Sequence, residues 1–581
     1  MTTSRADTSA TVIDHILDRL SSLGVRHLFG MPGDYNLKVL DRVVAHPGVE
    51  WVGTTNELGA AYAADGYGRV NGFGALLTTF GVGELNAING VAGSYAERVP
   101  VLHIAIGPTT TTEQAGSAVH HTMGDGDLDR FARAHRQVVC ADAVLRPEDA
   151  QSEVDRVVTA CLRERRPGYL RVPRDVALGP ASPLPPLERP DLKSADLDSL
   201  EAFRAAARAR LAGSGEVAVL TDFLVDRFDA RAELAALLAS GSLPHATTFG
   251  GKTVVDEHTP GFLGLYSGAM SRADVRAAID RADPLIMAGV LLTDHITGKF
   301  THEFDPGKAI DLGPTTARVN GVAFPGVPLA AALTALAALI EERRRPPART
   351  SAVTRPSEGS SATNVLTTVK NSAAALTRTW CGRLIPLTQS YLWKALGETL
   401  RPHHSVYADS GTVLFGSADQ RFPSGARFVS QPLWSSIGYC VPALLGGQLA
   451  DPVRRGLLLI GDGAAQLTAP ELGVIGRHRL NPIVLLVNNH GYTVERTTHG
   501  RRAVYNEVVR WHWSGMPAAL GVPDPLVLSA RTPADLDKAL ARAASTTDRL
   551  VLIEAFLLKD DVPSAFLRMI ANRPDKAKWV P

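Results

Sequence analysis

Asp462 and Asn489 carry the most legible chemistry in this sequence. Asp462 ends the apolar run of GLLLIGDGAAQ (residues 456–466), and Asn489 ends that of IVLLVNNHGYTVE (residues 483–495). Between them lies APELGVIGRHRL, with Pro470 at a first helical position and Leu472, Ile475 and Leu480 spaced for one buried face. The pattern predicts strand, helix, parallel strand. A crossover of that kind brings both strand ends to the same edge of a sheet, so Asp462 and Asn489 are expected to be neighbours. A carboxylate, an amide oxygen and the carbonyl of Gly491 form an all-oxygen set that suits octahedral Mg²⁺, with water and phosphate oxygens completing the shell. The amides of Gly463 and Ala464, opening the next helix, are expected to face those phosphates. GDGAAQ lacks the glycine spacing of a dinucleotide-binding fingerprint.

Further titratable residues stand far from this corner in sequence. Glu57, in TTNELGAAYAADGYGR, falls at a predicted helix N-terminus, where the helix dipole steadies a carboxylate. His120 and His121 are adjacent in VHHTMGDGD, Asp34 lies in GMPGDYN, and Glu495 closes GYTVE. Taken singly, each reads as an ordinary surface residue. Gathered in one place, carboxylates and imidazoles would titrate as a coupled group able to move protons.

The elements that must position these residues alternate. Residues 25–29, 49–53, 75–80 and 101–106 read as strands, with helices at 57–67 and 85–96 between them. GVGELNAING has Asn86 where a third fingerprint glycine would stand, so Gly81 and Gly83 are read as allowing a tight turn before a helix. Pro180 to Pro190 holds five prolines and reads as a linker. Strands are expected again at 217–221 and 285–292, then at 406–408, 457–460, 483–487 and 550–554. The run at 327–340 is too short to span a bilayer and reads as a packed helix. RRRPPARTSAVTRPSEGSSATN is polar and rich in Pro and Ser, and is expected to be a mobile linker. No sequence repeat is visible between the first and last segments, although both show the same βα rhythm.

Composition bounds the rest. The 581 residues are 45% hydrophobic and 20% charged, with a net charge of +1, which gives no electrostatic case for nucleic acid or an anionic membrane. Cys140, Cys161, Cys381 and Cys440 are far apart in sequence and are read as isolated reduced thiols of a cytoplasmic protein. MTTSRADTSA has no signal-peptide pattern.

GDG followed at this distance by NN, with GYTVE behind it, resembles the thiamine diphosphate signature. NELGAAYAADGYGR resembles the glutamate helix of thiamine-dependent decarboxylases. With GMPGDYN, the HH loop, EHTPGFLGLYSG, TDHITGKF and QPLWSSIGY, the chain resembles the pyruvate, indolepyruvate and branched-chain 2-oxo-acid decarboxylases over nearly its whole length. The acetohydroxyacid synthases share the GDG–NN corner but not the HH loop.

That resemblance implies three doubly wound α/β domains, each with a mostly parallel sheet: aminopyrimidine-binding (1–180), middle (195–342) and, after a linker or insertion (343–380), diphosphate- and Mg-binding (386–581). It implies thiamine diphosphate and Mg²⁺ as cofactors, with the ion on Asp462, Asn489 and Gly491. Thr412, the turn Ser435, Ser436 and Ile437, then Gly463, Ala464, Asn489, Gly491, Tyr492 and Thr493 would line the cofactor, with Ile437 as the apolar wedge that bends it.

Glu57 would activate the cofactor, Glu495 would act near the substrate carboxylate, and Asp34, His120 and His121 would handle protonation. Leu414, Phe415 and Val494 would line the substrate pocket. Val494 is smaller than the Ile common in pyruvate-selective relatives, so branched-chain or aromatic 2-oxo acids such as indolepyruvate are expected, with pyruvate as the alternative. A thiamine-dependent carboligase is the alternative of another class. The family arrangement implies a homodimer, or a dimer of dimers, with active sites shared between subunits.

Overall fold

The computed structural model describes residues 10–213, 215–344 and 385–571. They build three sheets. The first holds β1 (His27–Gly30), β2 (Glu50–Gly53), β3 (Gly74–Thr79), β4 (Val101–Gly107), β5 (Ala141–Val144) and β6 (Gly168–Pro173), in the order β2-β1-β3-β4-β6-β5. Every pairing in it is parallel. The second holds β7 (Ala218–Thr221), β8 (His245–Thr247), β9 (Phe262–Leu265), β10 (Leu285–Ala288), β11 (Ile310–Leu312), β12 (Thr316–Val319) and β13 (Val322–Pro325), in the order β13-β12-β11-β10-β7-β8-β9. It is parallel except where β12 pairs with β11 and β13. The third holds β14 (His404–Ala408), β15 (Arg427–Val429), β16 (Arg455–Gly461), β17 (Ile483–Asn488), β18 (Leu526–Ala530) and β19 (Val551–Phe556), in the order β15-β14-β16-β17-β19-β18. Every pairing in it is again parallel.

Counted from its own first strand, the third sheet has the strand order of the first. The two outer domains therefore share a topology that the sequence does not display as a repeat. In each, the chain leaves the first strand to one side, then crosses to the other. The resulting switch point lies between β1 and β3 in one sheet and between β14 and β16 in the other. Ligands of open α/β sheets bind in the crevice at such points, beyond the carboxyl ends of the strands. All residues of β3, β4, β14 and β17 are buried, because helices cover both faces of the sheet. Unbroken apolar runs such as ALLTT and IVLLV follow from that burial.

The outer domains pack through the helices Glu57–Asn71 and Cys440–Ala450, and one hydrophobic core runs through both. Glycines bring the two backbones together: a Cβ on Gly66 would lie 2.1 Å from the Ala443 carbonyl, and one on Gly446 would lie 1.8 Å from that of Ala63. Asp65, fully buried beside this crossing, accepts from Arg69 Nε (2.6 Å), Ser94 Oγ (2.8 Å) and the Tyr439 hydroxyl, so one carboxylate joins both domains. Its charge is paired with Arg69, as a buried carboxylate requires.

Several details differ from the sequence reading. The Glu57 helix runs past Tyr67 to Asn71, where Gly72 at φ +90° ends it. The helix expected from Leu85 starts at Val82, and Pro470 caps the helix Glu471–Arg477 from outside. β10 stops at Ala288 because Gly289, at φ +64°, turns the chain away. β15 and β18 are short or half-buried edge strands with weak apolar patterns, and they went unseen.

Residues 343 and 344, expected to open the linker, complete the helix Leu329–Arg344; the rest of the 343–380 stretch lies outside the described residues. Cys140 and Cys161 are not isolated. The two thiols are neighbours: Cys161 holds the Cys140 thiol below its usual range, while burial pushes Cys161 up, and Cys140 Sγ donates to the Arg166 carbonyl at 3.7 Å. Cys381 lies outside the described residues. No helix of the described residues is long and apolar enough to cross a membrane.

The helix crossing makes a direct prediction. Gly446→Ala places a methyl inside the Ala63 carbonyl contact and should cost about 1–3 kcal/mol by overpacking. Gly515→Ala, with nothing within 4 Å of the added carbon, serves as the control. Thermal denaturation of both variants checks this, and equal melting temperatures would contradict the packing described.

Candidate active site

Parallel pairing sets Gly461 of β16 beside Val487 of β17, so the residues that follow each strand meet. Asp462 is 3% exposed, and the Gly491 amide donates to its Oδ2 at 3.1 Å. Gly491, at φ +124°, occupies a conformation open to glycine, and a Cβ there would strike the Asn506 carbonyl at 2.1 Å. Arg496, 1% exposed, pins this turn from behind by donating to the carbonyls of Asn489 (3.1 Å), His490 and Asn506 (3.2 Å).

The side-chain amide of Asn489 tests whether the corner suits a cation. Its oxygen faces two other oxygens, Gly491 O at 2.8 Å and Asp462 Oδ1 at 3.2 Å, and its nitrogen lies 2.9 Å from Thr493 Oγ1. Turning the amide end for end would replace the oxygen contacts with hydrogen bonds. It would also require the Thr493 hydroxyl to donate to the amide, and that hydroxyl already donates to the Lys559 carbonyl at 2.7 Å. Thr493 Oγ1 accepts one long hydrogen bond from Arg496 (3.5 Å) and keeps a second lone pair to accept with, which favours nitrogen toward Thr493 and oxygen toward the corner. Three oxygens then converge with no proton between the amide oxygen and its two neighbours. A divalent cation satisfies that arrangement, and a hard one fits an all-oxygen donor set. The donor set therefore fits Mg²⁺.

A cleft of about 560 Å³ opens beside this corner at the switch point. Of the residues expected to line a cofactor, Thr412, Ser435, Ile437, Gly463, Ala464, Asn489, Gly491, Tyr492 and Thr493 stand in its wall, as do Phe415, Val494 and Glu495. Two do not. Ser436 turns its hydroxyl to the Tyr62 hydroxyl (2.6 Å) in the first domain. Leu414, expected in the substrate pocket, is 2% exposed and packs in a core with Phe249, Phe415 and Phe566. Its helix, Thr412–Ala418, presents Phe415 to the cleft instead.

The structure adds residues that the sequence reading missed. His295, from the middle domain, lies in the cleft wall and is the lining residue contributed from outside the third domain. Asp409, at the end of β14, accepts from the amides of Gly438 and Cys440 at 2.9 Å each, and so fixes the turn that carries Ile437. Burial pushes its carboxyl up to about 6 against those two hydrogen bonds. An Asp following a predicted strand was the available signal.

The remaining candidates gather at the carboxyl edge of the first sheet, not in this cleft. Glu57 begins its helix behind the N-cap Asn56 and accepts from Asn86 Nδ2 at 2.7 Å. Asp34 Oδ2 and His120 Nε2 are 2.8 Å apart, and His121 Nδ1 lies 3.2 Å from the Phe80 carbonyl. Gly81 makes the last approach possible, since a Cβ there would lie 1.9 Å from the His121 carbonyl. Within one chain the two groups of residues are thus on separate edges. Thr55, two residues before Glu57, links the two by donating from its amide (3.0 Å) and hydroxyl (2.5 Å) to Glu471, just past the Asp462 turn.

Burial pushes the Asp462 carboxyl up from 3.8 to about 6, against donation from the Gly491 amide. That raised value means the folded protein holds the proton more tightly than the unfolded chain. The stabilisation is full below pH about 4 and is lost as pH rises through about 6, so the bare carboxylate costs on the order of 3 kcal/mol near neutrality. Mg²⁺ binds the ionised form and competes with the proton. Mg²⁺ affinity, measured calorimetrically in the presence of diphosphate, should therefore fall about tenfold per unit as pH drops below about 6. Asp462→Asn should bind Mg²⁺ weakly and without that slope; an unchanged slope would place the ion elsewhere.

Comparison with known proteins agrees with this geometry. Residues 10–131 match the family described as thiamine pyrophosphate enzyme, N-terminal TPP binding domain; residues 204–340 match its central domain; and residues 409–555 match its C-terminal TPP binding domain. An alpha-keto-acid decarboxylase of Mycobacterium ulcerans is 46% identical over 97% of this chain and 96% of its own length. Those of Mycobacterium avium and Mycobacterium tuberculosis H37Rv are each 44% identical over 98% of both chains. Matched end to end, with the oxygen corner at its switch point, the chain belongs to the family of thiamine-diphosphate-dependent 2-oxo-acid decarboxylases.

Proposed function

We propose that the protein decarboxylates 2-oxo acids without oxidation, releasing an aldehyde and CO₂, with branched-chain or aromatic substrates such as indolepyruvate preferred over pyruvate. The observation that carries this reading is the convergence of Asp462, Asn489 and Gly491 oxygens at the mouth of the switch-point cleft. When bound, thiamine diphosphate supplies the electron sink that lets the bond to a carboxylate break. Asp462, Asn489 and Gly491 hold its Mg²⁺, and the amides of Gly463 and Ala464 face its phosphates. Ile437, held by Asp409 through Gly438, would offer the cofactor an apolar surface in the cleft wall.

Glu57 holds a proton toward the cofactor's aminopyrimidine ring. Asp34 and His120, already in contact, deliver a proton to the departing product, with His121 beside them. Glu495, exposed at the start of the helix Thr493–Thr498, acts near the substrate carboxylate. His120 and Asp34 are 59% and 58% exposed in the isolated chain, and Val82 on the helix beside Glu57 is 60% exposed. Such an edge suits docking against the cleft of a second copy, which supports a homodimer, alone or paired, whose sites each combine Glu57 of one chain with Asp462 of the other. Val494 and Phe415 in the cleft wall support a pocket that takes a larger side chain than methyl.

Two experiments test this. Glu57→Gln should lower kcat by about 10²–10⁴-fold, and Asp462→Ala should lose Mg²⁺-dependent cofactor retention. Co-refolded, the two variants should recover about a quarter of wild-type activity if pairing is random and sites are shared; sites built within one chain recover none. Separately, a kcat/KM ranking should place phenylpyruvate, indolepyruvate and 4-methyl-2-oxopentanoate above pyruvate by about 1–3 kcal/mol per group accommodated. Acyloin as the main product would instead identify a carboligase.

A further inference from the structure

We propose that Asp34, His120 and His121 also form a transition-metal site, suited to Zn²⁺, that switches the enzyme off. One ligand atom from each residue lies within 4.8 Å of the others. Tetrahedral Zn²⁺, with ligands at about 2.0–2.2 Å, needs its donors roughly 3.4 Å apart, a change that small side-chain rotations supply. The ring nitrogens are already sorted for this. His121 Nδ1 faces the Phe80 carbonyl at 3.2 Å, which fixes the proton on Nδ1 and leaves the Nε2 lone pair available. His120 stacks on Tyr35 with ring centres 4.9 Å apart, and its Nδ1 faces the Tyr35 hydroxyl, so Nε2 points to Asp34.

The backbone holds these rings in place. His121 sits at φ +64°, and the Gly81 contact leaves its loop no room to relax. Two imidazoles and one carboxylate with an open fourth position form a donor set that takes Zn²⁺, Co²⁺ or Cu²⁺ and discriminates against Mg²⁺, which the oxygen corner at Asp462 prefers. The two sites therefore sort metals by donor type. An ion on the first withdraws the lone pairs and the charge that the proposed reaction uses for proton transfer. That consequence rests on the function proposed above, whereas the binding itself rests on the geometry alone.

The test uses full-length protein loaded with thiamine diphosphate and Mg²⁺. It is titrated with Co²⁺, read by visible d–d absorption, and then with Zn²⁺ as competitor. One four-coordinate Co²⁺ per chain is expected. His120→Asn and His121→Asn should each weaken it by more than the ~10–100-fold typical of outer-shell partners, and Asp462→Asn should leave the spectrum unchanged. Both histidine positions face solvent or are half-buried, and circular dichroism checks that the variants fold.

X-ray absorption on the wild-type Zn²⁺ form should show two imidazoles at about 2.0–2.1 Å. Wild-type activity should fall with Zn²⁺ occupancy and return on adding a zinc-selective chelator. A Co²⁺ signal that survives both histidine variants, or vanishes in Asp462→Asn, overturns the site. An imidazole-bound ion that leaves activity intact overturns the switch and removes the three residues from proton transfer.

Discussion

The parallel pairing of β16 with β17 is the constraint on which the site depends. It sets two strand ends on one edge, so a carboxylate, an amide oxygen and a backbone carbonyl meet where no proton can lie between them all. Burial raises the cost of the Asp462 charge, and Arg496 and the Gly491 amide offset only part of it. The corner is therefore built around a missing positive charge. A hard divalent cation would supply that charge, and with it an attachment point for a diphosphate.

The same architecture occurs twice. The first sheet repeats the strand order of the third, and its switch point holds Asp34, Glu57, His120 and His121 in place of the oxygen corner. In the proposed reaction, one copy of the topology would carry the groups that move protons and the other those that anchor charge. The glycine-lined crossing of the helices Glu57–Asn71 and Cys440–Ala450, with Asp65 beside it, locks the two together within a chain. That lock leaves the edge that carries Asp34 and His120 exposed and apart from the chain's own cleft, which is the ground for the proposed pairing of two copies.

Much of the site was legible because its signals are local. Strand–helix–strand patterning placed Asp462 beside Asn489, and the resemblance drew Glu57 and the histidine pair into one chemistry. The resemblance implied that Ser436 and Leu414 line the cavity, but a tight turn and a helix each send adjacent side chains in different directions. Ser436 turns to Tyr62 and Leu414 into a core, while Phe415 faces the cleft. His295 lay within TDHITGKF, one of the strings that carry the resemblance, but nothing local in that string placed it at the cleft, which it reaches from another domain.

Sequence alone determined the α/β class and, through strand–helix–strand patterning, the meeting of Asp462 with Asn489, whereas the expected roles of Glu57, Asp34, His120, His121 and Glu495 came from the resemblance. Only the tertiary structure decided that the outer domains share one topology, that Cys140 meets Cys161, that Asp409 and Arg496 brace the turns, and that the reactive groups divide between two edges. Those outcomes depend on contacts between different elements, from the Arg496 turn to the Tyr439–Asp65 hydrogen bond between domains, and on backbone packing at glycines, which no local pattern encodes.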